Sequence, residues 1–196
     1  MFLEWGVGVS YETIRRWAGK FGPTMALGLN RRQPRPGDIC RLDEVAAKTR
    51  GRKFWLWRAV DQNGMVLNEI LQCQQGTKAA KRLLARLIKN HGRSPKRFIT
   101  EKLRSYSAAK REITPGVELR SQLGLNNRAK DSHLPFRKRE RAMQRYRSPV
   151  GLEQFVSIHS SIRNRFSAPA RRRSALTIGY HRLEALGAWN VAAHAA

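Results

Sequence analysis

Hydrophobic and polar positions change period several times along this chain. Behind Ser10, a good N-cap, Ile14, Trp17, Ala18 and Phe21 recur at i, i+3, i+4 and i+7. This spacing predicts a short helix over 10–21, with Glu12, Arg15, Arg16 and Lys20 on the opposite face and Gly22-Pro23 ending it. Residues 30–37, rich in Arg and Pro, read as an extended basic segment. Three strand-like runs follow, at 39–48, 53–61 and 65–72, separated by two hairpin turns, Arg50-Gly51-Arg52 and Asp61-Gln62-Asn63-Gly64. The period then lengthens to that of a helix over 78–90, with Ala80, Leu83, Leu84 and Leu87 inward and Lys81, Arg82, Arg86 and Lys89 outward. A short strand at 97–100 delivers Glu101. Residues 130–147 are helical and densely cationic, Gly151 breaks the pattern, and a further helix covers 152–165. The tail, 170–196, opens on Arg171-Arg172-Arg173 and closes in an Ala-rich, helix-compatible stretch.

A three-strand meander, a helix and a further strand make an α/β arrangement in the order of a ribonuclease H-like fold. Its sheet is mixed, because a helical crossover joins parallel strands. The expected organisation is a partial helix-turn-helix segment over 1–24, a basic linker over 25–38, a ribonuclease H-like domain over 39–166 and a basic tail over 167–196. At 196 residues and 41% hydrophobic composition the chain can bury a core, which excludes wholesale disorder. Lys and Arg total 39 against 14 Asp and Glu, a formal net charge of +25 that attracts a polyanion through counterion release. Charge alone does not choose between DNA and RNA. Cys40 and Cys73 lie far apart inside strand-like segments and read as reduced core thiols. The start carries an early acid and no basic n-region, and no apolar run approaches the roughly 20 residues that span a bilayer. The expected location is the cytoplasm, in association with the nucleoid.

The acids carry the candidate chemistry. Asp43 on one strand and Glu101 at the exit of another are placed as two-metal phosphoryl-transfer sites require, where carboxylates share two divalent cations. Mg²⁺ suits such oxygen ligands, and Mn²⁺ can stand in. Other readings stand beside these: Asp43 as a strand acid paired with a nearby Arg, and Glu101 as a helix-start acid. Asp61 reads as a turn residue, and Glu44, alternating to the other face, as solvated. Trp55 and Trp57 share one strand face and Phe54 the other, which favours core packing over base stacking. His133 reads equally as a solvated or phosphate-contacting group and as a catalytic one.

Several stretches resemble one family. These are Leu-Asp-Glu-Val at 42–45, the run from Arg50 to Gly64, Phe-Ile-Thr-Glu-Lys-Leu-Arg-Ser-Tyr at 98–106 and Gly-Leu-Asn-Asn-Arg-Ala-Lys-Asp-Ser-His at 124–133. Together with Val-Ser-Tyr-Glu-Thr-Ile-Arg-Arg-Trp at 9–17, they resemble the DDE transposases of insertion-sequence family six, in that family's order over about residues 3–166. The resemblance implies DNA binding, cleavage at element ends and strand transfer, with Mg²⁺ or Mn²⁺ as cofactor, duplex DNA as partner and a homodimer on DNA. By position it sets Asp43 at the first catalytic acid and Glu101 at the second, where the family has Asp. Lys130 stands at the third, where the family has Glu, with Asp131 next to it as the substitute ligand. It places Tyr11, Thr13, Arg15, Arg16 and Lys20 on the DNA-reading helix, whose bracing partner is clipped, and Arg137, Arg139 and Arg141 along DNA. A degenerate copy with impaired catalysis is the expected reading. A non-catalytic DNA binder and a basic RNA-binding structural protein are the alternatives.

Overall fold

The structure, a computed structural model, describes residues 8–30, 37–101, 104–121, 126–143, 146–167 and 174–194. The elements run α1 (Tyr11–Asn30), β1 (Ile39–Thr49), β2 (Arg52–Asp61), β3 (Val66–Gln72), α2 (Thr77–His91), β4 (Arg97–Thr100), α3 (Arg104–Ile113), β5 (Glu118–Ser121), α4 (Asn127–Ala142), α5 (Pro149–Phe166) and α6 (Ala175–His194). They form two compact units: residues 34–156, and residues 1–33 with 157–196.

The central unit holds a five-stranded sheet of order β3-β2-β1-β4-β5. The β1–β2 and β2–β3 pairs are antiparallel hairpins, whereas β1–β4 and β4–β5 are parallel, as the helical crossover requires. Both faces are covered. On one, Cys40, Leu42, Trp57 and Ile70 pack beneath Ala80, Leu83, Leu84 and Leu87 of α2 and Tyr106 of α3. On the other, Ala47 and Leu56 meet Phe136 of α4, Tyr146, and Leu152 and Val156 of α5. Each fully buried Leu contributes about 1.5–3 kcal/mol, so these two layers fix the strand register. The aromatic residues follow the sequence reading: Trp57 and Phe54 are buried, and Trp55 packs partly buried against the first layer. Helix α2 ends where Gly92 takes φ 66, its N–H donating to the Ile88 carbonyl at 2.8 Å. Asp61 is a turn residue as expected, its Oδ1 accepting N–H bonds from Asn63 at 2.7 Å and Met65 at 2.9 Å.

In the other unit α1 packs on α6 through Leu29, Ala188 and Ala192, with Ile162 of α5 and Trp189 alongside. Ser10 caps α1 as expected, its Oγ accepting the Thr13 N–H at 3.1 Å. The helix does not stop at Gly22-Pro23; it continues to Asn30, through the start of the segment read as linker. Gly22 is buried, and a Cβ there would lie 2.6 Å from Ile158 Cδ1, so its missing side chain serves close packing rather than termination. A second helix of a helix-turn-helix is not found within residues 8–30, and residues 1–7 lie outside the described set. Two further expectations, on Gly151 and Cys73, are corrected. Gly151 lies inside the first turn of α5, where its N–H bonds Ser148 Oγ at 3.0 Å. Cys73 is exposed because β3 ends one residue before it, at Gln72; Cys40 is buried, and burial pushes its thiol pKa up. The tail, beyond its basic start at 171–173, which lies outside the described residues, forms the twenty-residue α6, in keeping with its helix-compatible reading. No helix among the described residues is long and apolar enough to cross a membrane.

Candidate active site

Strand β1 carries the site. Its parallel pairing with β4 runs through Ile39–Arg97, Cys40–Phe98 and Arg41–Ile99, then stops, because β4 ends at Thr100. Continuing that register by two positions sets Asp43 alongside Glu101. Past this point the edge of β1 is open, and a cleft of about 390 Å³ forms there, lined by Asp43, Glu44, Val45, Thr100, Glu101, Lys130 and His133. Helix α4 supplies the last two, which stand three residues apart on one helical face. The cleft therefore lies beyond the carboxyl end of β4, where crevices in sheets with parallel strands open.

Asp43 faces α4, its Oδ2 lying 3.5 Å from Nε2 of the buried His133. Burial pushes the His133 imidazole below its ordinary pKa, outweighing the pull of Asp43 in the other direction. Arg58, directly opposite Asp43 in the β1–β2 ladder, projects to the same α4-covered face of the sheet but is engaged elsewhere on it. Its Nη2 lies 3.0 Å from Glu69 Oε2, and its Nη1 donates to the Ser132 carbonyl of α4 at 2.6 Å. Glu69 thereby balances the buried guanidinium and leaves Asp43 to the cleft. Glu44 points to the other face of β1, where it accepts hydrogen bonds from Gln75 Nε2 at 3.0 Å and Tyr106 Oη at 3.3 Å. Burial, and after it the charge of Asp43, hold the Glu44 carboxyl above its ordinary pKa. The expectation of a solvated Glu44 is therefore corrected, as is that of a solvated His133, which is 5% exposed. Lys130 Nζ sits 2.8 Å from Glu101 Oε1, and that contact raises the pKa of the ammonium.

A family model described as a DDE domain matches residues 38–168. The chain belongs to the DDE transposases of insertion sequences. It is 27% identical over 146 residues to the transposase for insertion sequence-like element IS431mec of Staphylococcus aureus, covering 72% of this chain and 65% of that protein. A second relative is the transposase for insertion sequence element IS257 in transposon Tn4003 of the same species, 26% identical, with 71% and 64% covered. The chain thus spans somewhat less than two thirds of the length of these relatives. Among solved structures, a chain of the simian T-cell lymphotropic virus intasome in complex with PP2A regulatory subunit B56 gamma superposes with a TM-score of 0.51 at 12% identity. That match covers 75% of this chain and 58% of that one, and agrees with the ribonuclease H-like fold read from the strand order.

DDE transposases generally use a divalent metal, and the residues present here fit one poorly. Asp43 and Glu101 line the cleft, but the ammonium of Lys130 lines it too and holds Glu101 itself. Asp131 is exposed and does not line the cleft, because one residue along α4 turns a side chain by about 100°. Among the described residues no group of three or more His, Cys, Asp and Glu side chains is gathered to hold an ion. Of the residues read as touching DNA, Tyr11 is 82% exposed, Arg15 and Arg16 lie 3.3 and 3.8 Å from Glu12, and Lys20 stands 5.1 Å from the centre of the Phe21 ring. Thr13 bonds Ser10 through its hydroxyl at 2.9 Å. On α4, Arg139 and Arg141 are exposed, whereas Arg137 is tied inward, to Glu140 at 2.5 Å and to the Ala46 carbonyl. The sequence reading set Glu44 aside as solvated and overlooked the buried Arg58. An Arg directly opposite an acid in a hairpin register was the available signal for the second.

Proposed function

We propose that this chain is a DNA-binding insertion-sequence transposase whose strand-cutting centre is disabled, a degenerate copy that keeps the fold and charge of its family. The observation carrying this reading is the Lys130–Glu101 contact at 2.8 Å inside the cleft that Asp43 also lines. A resident ammonium repels a divalent cation and takes up the carboxylate charge that would attract one. Glu101 adds a methylene to the Asp expected there, moving its carboxylate by about 1.5 Å, and misplacements near 1 Å can cost about 100-fold in rate. Asp43, Glu101 and Asp131 are the family's metal-ligand positions in this reading, with Asp131 turned away from the other two. The partner is double-stranded DNA, favoured by the net charge of +25 and by the family, and the state on DNA is a homodimer that brings two element ends together. The protein is then cytoplasmic and nucleoid-associated.

Purified protein incubated with Mg²⁺ and terminal-repeat DNA is the test. The chain as written leaves the DNA uncut, and calorimetric titration with Mn²⁺ gives no heat that depends on Asp43. The combined variant E101D/K130E gains both. Robust cleavage by the unaltered chain would refute the disabled-centre reading.

A further inference from the structure

The turn between β1 and β2 breaks two local rules at once. It is a two-residue hairpin loop, Arg50-Gly51, with φ 49 and φ 74. Positive φ at both central residues marks a type I′ turn, whose first position favours Asn, Asp or Gly; Arg there is held in a sparsely populated region. One step down the ladder, Lys48 and Lys53 stand directly opposite each other. Like charges so placed weaken a hairpin. No opposite charge offsets either fault: Lys48, Arg50, Arg52 and Lys53 are all exposed, and among the described residues none of the four pairs with a carboxylate, although Arg52 stands 5.9 Å from the centre of the Phe54 ring. The tip does not yield to this charge, because Thr49 beneath it is buried and bridges Tyr146, while Lys53 Nζ rests 4.2 Å from the centre of the Trp55 ring.

We propose that the β1–β2 hairpin tip is a backbone-phosphate site for duplex DNA, in which Lys48, Arg50, Arg52 and Lys53 take the charge that opposes them in the free protein. This rests on the DNA reading above and adds a contact outside the acidic cleft. Strand geometry places Arg50 roughly 20–24 Å along β1 from Asp43. At 3.4 Å per base pair that is about six to seven pairs, so one duplex crossing the cleft reaches the tip. A membrane surface is a poorer fit, because none of the exposed large apolar side chains lies at the tip to enter a bilayer. Polar contacts to phosphate carry no base preference, so the tip adds affinity evenly across sequences.

Binding of the full chain to a fluorescent duplex of about three helical turns is measured against KCl concentration. In R50N/K53Q two phosphate contacts are lost, so the slope of log K against log salt falls in magnitude by about 1.8 and affinity at 0.1 M drops by up to about 60-fold. The same variant melts no lower than wild type, because Asn suits the turn and the opposed lysines are gone. K48Q/R52Q repeats the slope change from the other two positions. R86Q/K89Q removes equal charge from exposed positions of α2 and leaves the slope as it was. An unchanged slope in R50N/K53Q and K48Q/R52Q, an equal drop in R86Q/K89Q, or preferential competition by duplex RNA or anionic vesicles overturns the hairpin site alone. A wild-type chain that does not retain duplex DNA overturns it together with the functional reading.

Discussion

Arg58 is the most heavily committed charge in the sheet, and removing it should show what holds α4 over the cleft. Its side chain is 2% exposed and that of Glu69 is 12% exposed, so neither charge is compensated by water. Arg58→Met removes the guanidinium that balances Glu69 and the hydrogen bond it gives to the Ser132 carbonyl. Breaking one side of a buried pair costs about 3–5 kcal/mol. For a chain of this size that lowers the melting temperature by about 6–20 °C. The double variant R58M/E69L removes both charges and loses only the hydrogen bond that Arg58 gave the Ser132 carbonyl, about 1–3 kcal/mol. Adding Glu69→Leu should therefore recover roughly 2 kcal/mol of the loss. Urea unfolding followed by the fluorescence of buried Trp57 reads the three proteins. A double variant as unstable as R58M, or less stable, would mean that Glu69 does not balance Arg58 and that Asp43 shares its charge.

Two further outcomes follow from other parts of the molecule. Gly19→Ala, with nothing within 4 Å of its new Cβ, should stabilise α1 by about 1 kcal/mol. Gly22→Ala should lose that gain, because Ile158 must leave its rotamer at about 0.5–1.5 kcal/mol, and I158V should restore part of it; equal melting gains in both alanine variants would show that the two helices do not touch there. Glu118 lies 2.6 Å from Arg120 Nε and 2.5 Å from Arg97 Nε, contacts that hold its carboxyl below the ordinary value of 4.5. The sign follows: its contribution to stability is present above pH 4.5 and is lost as pH falls through the lowered value. Carbon-detected titration should find Glu118 below the ordinary value of 4.5, and E118Q should flatten the acid limb of the melting curve; a Glu118 titrating at or above 4.5 would remove the argument.

Much of the sheet was legible because its cues are local. Period-two runs bounded by Arg50-Gly51 and Asn63-Gly64 fix three strands, and the Leu83, Leu84, Leu87 stripe fixes α2. Strand β5 was not legible, since Glu118-Leu119-Arg120-Ser121 offers one apolar residue and its pairing comes from β4. Helix α3 was seen only as a helix start at Glu101, because 104–113 is polar apart from a few positions. At the cleft, alternation correctly turned Glu44 away from Asp43. It could not reveal that β4 stops short, so that both faces of β1 border the same space. The burial of His133 likewise depends on how α4 lies across the sheet, which no spacing within 127–142 encodes.

Helices α1 and α6 pack on one another although about 145 residues of chain separate them. A ribosome adding roughly 5–20 residues each second delivers the second helix some 7–30 s after the first. Throughout that interval Leu29, buried in the finished protein, lacks Ala188 and Ala192 of α6 to rest against, while the intervening sheet can already close. Synthesis thus leaves an early helix waiting on a late one. A nascent-chain complex stalled before Ala175 should accordingly expose α1 to protease and protect β1 to β4.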